Sequence, residues 1–395
     1  MDPIIICGAG PVGLTTALLL QHQGVPFVLC EAQEALGEDL RASTFHPPTL
    51  DMLARLDVAE RLIAEGLISP TWQVRMHPTG ERAVFDLGVI AEATDHPYRL
   101  QCEQSKLCRI LLDRVVSGGG DVRLGFAAEG LEQDESGVRL TVRDVAGAVH
   151  EIEGSFLIGA DGARSLVRRS LGVPFEGKTY PETTILATTR FPFEEHLPGL
   201  SNVNYVWKEG GTFSLLRLPA LWRCSLYPDH DETLDDALEP KSIERKLQEI
   251  APSPHGHAVE EVRPYRIHMR IVDDYRVGRV LLAGDAAHVN SPSGGMGMNG
   301  GIHDAFELSA TLIEVLNGAP HTHLDRYTRR RRPVAEQEIL VQADRNRARM
   351  QERDPLKRRE MLAELQRIAA DRDLARTHLL RTSMITGLRA AAEVS

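Results

Sequence analysis

The stretch PIIICGAGPVGLTTALLLQHQGVPFVLCE, residues 3–31, decides the fold. Its opening run, PIIIC, reads as a strand buried on both faces, because a short unbroken apolar run that stops at a glycine turn has no polar face to offer water. GAGPVG then opens a helix, and PFVLCE supplies a second strand, so the stretch is one βαβ unit. Gly8, Gly10 and Gly13 stand in G-x-G-x-x-G spacing. The first permits the tight turn, the second lets a pyrophosphate approach the backbone, and the third lets helix pack closely on strand. The amides and dipole of the helix start face the phosphates. Glu31 closes the second strand about 20 residues beyond the turn, where a carboxylate accepts from ribose hydroxyls and repels a 2′-phosphate. The turn is expected to hold FAD or NAD, not NADP.

Composition narrows the class. With 395 residues and 42% hydrophobic content, the chain can bury a large core, and its length favours two or three domains. A formal net charge of −11 argues against nucleic-acid binding and against attachment to anionic lipid. No apolar run approaches a membrane span and the N-terminus does not read as a secretory signal. The five cysteines, Cys7, Cys30, Cys102, Cys108 and Cys224, are scattered, as expected of reduced thiols in a cytoplasmic protein. No metal site is expected.

After Glu31 the pattern leaves that of a plain dehydrogenase, where further βα units should follow. GEDLRASTFHPPTLDMLARLDV (37–58) reads as a loop and a short helix. VRLGF and VRLTVRD read as strands, with DESG (134–137) as a hairpin-like turn between them. FLIGADGARSLVRRSLG ends a buried strand at Asp161-Gly162, and GRVLLAGDAAH ends another at Gly284-Asp285. Nucleotide-facing groups thus arrive from three separated segments, which calls for a long cofactor.

GAGPVG with Glu31, GADGARS (159–165) and GRVLLAGDAAHVNSPSGGMGMNGGIHDA (278–305) together resemble the class A flavoprotein aromatic monooxygenases, the para-hydroxybenzoate hydroxylase-like family. The resemblance covers about residues 3–330, and the segment from Gly284 is its most specific part. It implies an α/β fold: a Rossmann-like FAD-binding domain (GR2/PHBH-like), an antiparallel-sheet substrate domain and a helical C-terminal tail. It implies FAD as cofactor, with Gly8, Gly10, Pro11, Val12, Gly13 and Glu31 on the ADP half. Arg41 and Gln104 go to the pyrophosphate and ribityl region, Asp161 stands beside them, and Asp285 takes a ribityl hydroxyl. The loop from Pro292 to Asn299, with Gly295, Gly297, Met298 and Asn299, is implied to lie against the isoalloxazine ring. Two departures stand out. Met296 occupies a place where relatives often carry Gln, and Pro48 stands where many carry an arginine, which leaves the role of His46 open between the flavin edge and loop packing.

The residues supply an independent reason for that loop. Met298, Ile302, Ala305, Phe306, Ser309, Leu312, Ile313 and Leu316 recur at helical spacing, so a helix is expected to begin near Met298. Its first amides have no intrahelical partners and carry positive potential. Aimed at N1 and O2 of the flavin, they would stabilise the anionic reduced ring. Asp304 and His288 read as structural groups that steady the turn.

Residues 181–270 read as an antiparallel sheet over the substrate, with a helix at SIERKLQEIA. Val203, Tyr205 and Trp207 share a face by alternation, as do Arg223, Ser225 and Tyr227. Tyr205, Arg217, Tyr227 and His268 are pocket candidates. The catalytic set is His46, Pro292, Tyr205, Tyr227 and His268. The expected domains are 1–180 plus 271–330 for FAD, with 75–100 open to either side, then 181–270 for substrate and 331–395 as the helical tail. The tail's partner is open, as is the choice between monomer and homodimer. The run Arg329–Arg332 reads as a solvated helix end.

The resemblance implies hydroxylation of a small electron-rich aromatic, phenol-like or a hydroxylated heteroaromatic, by O2 through a C4a-hydroperoxyflavin. NADH or NADPH is the co-substrate, binding transiently along the Asp161 side because the chain has no second dinucleotide motif. The alternatives are a same-fold flavin reductase or dehydrogenase without oxygen insertion, an NAD-dependent dehydrogenase, and a non-catalytic sensor.

Overall fold

The computed structural model describes residues 2–38 and 42–395. Its first sheet orders its strands Arg276–Val277, Val280–Leu282, Phe156–Gly159, Ile4–Cys7, Phe27–Glu31 and Asp121–Leu124. All neighbours are parallel except the first two, which form a hairpin. Ile4, Ile5 and Ile6 are fully buried on both faces of the sheet. Each such aliphatic side chain contributes roughly 1.5–3 kcal/mol by leaving water. Three strands of this sheet, ending at Cys7, Gly159 and Leu282, run in parallel and in register, so the turns that follow them emerge at one edge.

The helix Pro11–His22 starts with proline at its first position, where the missing N–H costs nothing, and packs along the long helix Met296–Leu316. The two glycine-rich turns meet there: a Cβ on Gly301 would lie 3.1 Å from the Gly284 Cα and 2.7 Å from a Val12 methyl.

A second sheet has eight strands, running from His288–Val289 through Val259–Ile271, Glu176–Thr189, Trp222–Leu226, Gly211–Arg217, Val203–Lys208 and Thr71–Met76 to Arg82–Asp86. It contains the expected strands of the 181–270 region, and it also takes in Thr71–Met76 and Arg82–Asp86 from earlier in the chain. One face buries Ile185, Phe213, Leu215 and Cys224 against the helix Pro240–Ile250. Through the pairing of His288–Val289 with Arg270–Ile271, the segment after Gly284 is stitched to this sheet as well as to the first.

The turn DESG does join two antiparallel strands, but the first of them is Ala127–Gln133, not VRLGF. Gly125, at φ +76°, turns the chain out of the parallel strand Asp121–Leu124 before the new strand begins. The tail is helical, with helices Val341–Gln351, Pro355–Ala370, Arg372–Thr382 and Ile385–Ala392. Leu362, Leu365, Leu379 and Leu380 pack on Trp72, Phe85 and Trp207, so the tail clamps the far end of the eight-stranded sheet. The Trp207 indole N–H donates to the Arg349 carbonyl, 2.9 Å away.

Candidate active site

A single cleft of about 740 Å³ runs from the first glycine turn to the eight-stranded sheet, within the range of about 300–1,000 Å³ usual for ligand sites. At one end Gly8 sits at φ +103°, and a Cβ there would lie 2.5 Å from the Ala160 carbonyl oxygen. Gly13 does not line the cleft. Its role is packing, since a Cβ on it would lie 1.9 Å from the Gly8 carbonyl oxygen. Gly10 is the opposite case: its Cβ direction points into open space, with no atom within 4 Å. Glu31 lines the cleft and accepts from the Ala9 N–H at 2.8 Å and the Gln33 N–H at 3.0 Å. One carboxylate thus ties the turn to the end of the second strand and keeps lone pairs for a ligand hydroxyl.

In the middle, Pro11, Val12, Gln104, Asp161 and Asp285 all line the cleft. Asp161 is also a helix cap: it accepts from the Ser165 hydroxyl at 2.5 Å and from the amides of Leu166 and Val167 at 2.7 and 3.1 Å. Asp285 is exposed in the cleft, directly after the strand Val280–Leu282 and its Ala283-Gly284 turn. Arg41 lies outside the described residues.

At the far end the chain reverses at Gly294 and Gly295, with φ +100° and +69°, a left-handed pair that suits glycine. The long helix begins at Met296, two residues before the start expected from spacing, because Gly295 serves as its N-cap. No side chain caps that end, so its first amides are available to a ligand. Pro292, Gly295, Gly297 and Met298 line the cleft beside them. Asn299 is fully buried and acts as a clamp: its amide nitrogen donates to the carbonyls of Thr44 and Gly295, and its oxygen accepts from the His46 N–H.

Beneath the loop, Asp304 accepts from the Arg331 guanidinium at 2.7 Å, the His288 imidazole at 2.7 Å and the Gly284 N–H at 3.1 Å, all within the core. Burial would raise the Asp304 carboxyl, but His288 and Arg331 together bring it down to about 2. The run Arg329–Arg332 is therefore not a solvated helix end throughout. Arg331 is 1% exposed and holds the Gly284 turn through Asp304, and Arg330 is half-buried on Glu307.

His46 is not brought to the cleft. It is fully buried, with its Nε2–H donating to the Gly294 carbonyl at 2.8 Å and its Nδ1 without a partner. Burial, and then the nearby Arg99, hold its imidazole down to about 3. A neutral histidine in this place positions the loop. An unfolded histidine titrates near 6.5, so between about 6.5 and 3 the unfolded chain binds the extra proton. The stability His46 contributes is complete above the upper value and lost as pH falls through this window. A His46→Gln protein is expected to show a flatter fall in urea midpoint between pH 7 and 4 than the wild type. An unchanged slope contradicts this assignment.

The eight-stranded sheet presents Tyr205, Ser214 and Ser225 in one row, as the register pairs Tyr205 with Ser214 and Ser214 with Ser225. Leu216, Arg223 and Tyr227 extend the same face into the cleft. Burial, then Tyr265, push the Tyr227 hydroxyl upward, so it remains a protonated donor. Arg223 reaches the Ser43 hydroxyl at 3.3 Å. His268 is not among the lining residues. It meets the Thr179 hydroxyl at 2.9 Å on the rim of the sheet, and burial with Arg270 and Arg266 nearby lowers its pKa. Arg217 also lies elsewhere, paired with Glu194 at 2.8 Å. Met350, from the tail, joins the wall without any signal in the sequence. Among the described residues no cluster is suited to a metal ion, and no helix is long and apolar enough to cross a membrane.

The donor set fits FAD. An open approach at Gly10, a carboxylate at Glu31 and uncapped amides at Met296 lie along one cleft, in the order that a dinucleotide with an anionic ring at its far end requires.

Residues 2–343 match the family model described as an FAD binding domain. The chain is 31% identical over 397 residues to para-nitrophenol 4-monooxygenase of Pseudomonas sp. strain WBC-3, covering 98% of this chain and 97% of that one. It is 35% identical over 316 residues to 6-hydroxy-3-succinoylpyridine 3-monooxygenase of Pseudomonas putida, covering 80% of each. The crystal structure of p-nitrophenol 4-monooxygenase from Pseudomonas putida DLL-E4 superimposes with a TM-score of 0.91 at 30% identity, over 98% of both chains.

Proposed function

This chain belongs to the family of FAD-dependent aromatic monooxygenases, and from that premise we propose that its substrate is a small phenol or hydroxylated heteroaromatic, seated between the Pro292–Asn299 loop and the row Tyr205, Ser214, Ser225. The observation that carries the reading is the continuity of the cleft, which joins the dinucleotide turn to a half-polar sheet face through the uncapped start of a long helix. Bound in this cleft, FAD would supply the redox chemistry, hydride acceptance from NADH or NADPH and the electrons that activate O2.

The chain's own groups orient, exclude and bind. Gly8, Gly10 and the helix start at Pro11 receive the pyrophosphate, Glu31 a ribose and Asp285 the ribityl chain, while Gln104 and Asp161 line the passage between them. The amides at Met296, Gly297 and Met298 put positive potential against the ring's negative edge without a cationic side chain. Asn299 holds that loop, with His46 behind it, in one geometry. Leu216 and Met350 supply an apolar wall that keeps water from the reacting atoms. Tyr227, protonated, donates a hydrogen bond to substrate, and Tyr205 faces the ring from the same sheet. Leu216, with these two tyrosines, makes the pocket suited to a flat aromatic.

Protein carrying FAD, supplied with NADH or NADPH, a phenol and ¹⁸O2, is expected to place one labelled oxygen in the product for each nicotinamide oxidised. Nicotinamide oxidation with no label in any product across phenols and hydroxypyridines would overturn the reading in favour of a reductase of the same fold.

A further inference from the structure

Beside the cleft lies a second, smaller chamber of about 30 Å³, room for about two water molecules or a substituent of that size. Tyr205, Ser293, Met296 and Met350 belong to both walls, so the chamber adjoins the place given above to the aromatic ring. Arg99 and Arg349 line it with Trp72 and Asn346.

Arg99 is 3% exposed, and its Nε and one terminal nitrogen are buried without a hydrogen-bond partner. Its guanidinium stands 5.1 Å from the centroid of the Trp72 ring and is hydrogen-bonded to the Tyr205 side chain. Stacking on Trp72 explains why a guanidinium tolerates this place, but a ring face cannot satisfy in-plane N–H donors. The charged neighbours make the case sharper. Burial, then Arg349, Arg381 and Arg99, lower the His378 pKa, and burial works against the charged forms of Arg99 and Arg349, which Tyr205 favours in part. Buried cations normally carry a counterion, and removing charge from water without one is costly. Here two cations, Arg99 and Arg349, line a chamber with unmatched donors, and among the described residues no acidic side chain lines it.

We propose that this chamber is an anion subsite in which Arg99, assisted by Arg349, receives a negatively charged oxygen carried by the aromatic substrate, as a ring carboxylate or a ring phenolate. The proposal rests on the reading of the main cleft as the aromatic site. It assigns Arg99 the choice among substrates: an anionic oxygen gains charge-assisted hydrogen bonding there, and a neutral group of the same shape leaves the guanidinium unmatched.

The test is binding to the FAD-loaded protein, read from the perturbation of the flavin absorption. The probes are 4-hydroxybenzoate, its neutral counterpart 4-hydroxybenzamide, and 4-nitrophenol, whose own spectrum reports ionisation. If the source is a carboxylate, the benzoate binds at least about tenfold tighter than the benzamide. If it is a phenolate, 4-nitrophenol is bound ionised at a pH where it is mostly neutral in solution. In either case Arg99→Gln removes the preference and leaves benzamide affinity within about threefold, Arg99→Lys restores part of it, and Arg349→Gln weakens it. Equal binding of benzoate and benzamide together with neutral bound nitrophenol overturns the proposal. So does an equal loss for all three probes in both glutamine variants, and so does binding of none of them by the wild type. Label transfer from ¹⁸O2 is decided separately, so failure here leaves the aromatic hydroxylation reading standing.

Discussion

Replacing Arg331 by methionine is expected to cost about 3–5 kcal/mol of folding stability, because it leaves the buried Asp304 carboxylate without its cation. Asp304 is fully buried, and Arg331 approaches it at 2.7 Å. The damage should not stay local. The other carboxylate oxygen holds the Gly284 N–H and the His288 ring, and Arg331 also donates to the Gly300 carbonyl at 3.3 Å. Flavin affinity should therefore fall together with the denaturation midpoint.

The pH dependence has a definite sign. With its folded value depressed to about 2 against an unfolded value near 3.9, Asp304 contributes stability that is complete above the unfolded value and disappears as pH falls through the folded one. Without Arg331 the folded value moves up, so the acid transition should begin at higher pH. The double variant Arg331→Met with Asp304→Leu should recover part of the loss, since it removes both charges. A single variant as stable as the wild type would show that the pair does not hold the turn.

The second large effect separates two glycines that sequence spacing treats alike. Gly13→Ala places a methyl carbon 1.9 Å from the Gly8 carbonyl oxygen. The helix Pro11–His22 must then back away from the strand, at a cost of about 1–3 kcal/mol or more. A Cβ at Gly10 meets nothing within 4 Å in the folded chain, and the backbone at φ −75° accepts a side chain such as that of Gly10→Val. That variant should fold with a thermal midpoint near the wild type's, yet bind FAD more than about tenfold more weakly, because its side chain stands in the path of the pyrophosphate. Equilibrium dialysis against FAD together with thermal melts of the apoprotein distinguishes the two behaviours. Full flavin occupancy in Gly10→Val would move the phosphates elsewhere.

These contrasts show where the sequence was legible. The βαβ unit of residues 3–31 and the segment after Gly284 could be read because local rules decide them: a glycine that must turn, a strand that must be buried, a helix whose apolar positions recur. Such rules also marked the sheet of residues 181–270, but they assigned VRLGF, an outer strand of the parallel sheet, to a hairpin. They could not place Thr71–Met76 and Arg82–Asp86 in the eight-stranded sheet, because pairing between distant strands leaves no local mark.

The same limit applies to side chains. His46 follows directly on a strand and precedes two prolines, a position that suits a catalytic group as well as a buried one. Only its hydrogen bond to the Gly294 carbonyl, from a residue far along the chain, decides for burial. Arg331 sits in a basic run that looks solvated until the partner Asp304 is seen across the core. Met350 reaches the cleft, and Arg99 the chamber beside it, from segments whose patterns are those of an ordinary helix and a short strand.

The central claim is that the ring of FAD lies where Gly295 starts the long helix, with its ADP half on the first glycine turn. A crystal structure of the protein grown with FAD tests it most directly. The account predicts continuous density from Glu31 and Gly10, past Asp285, to a ring within hydrogen-bond reach of the amides at Met296 to Met298. A ring bound elsewhere, or side chains filling the crevice beside Pro292 while FAD is bound, would contradict it.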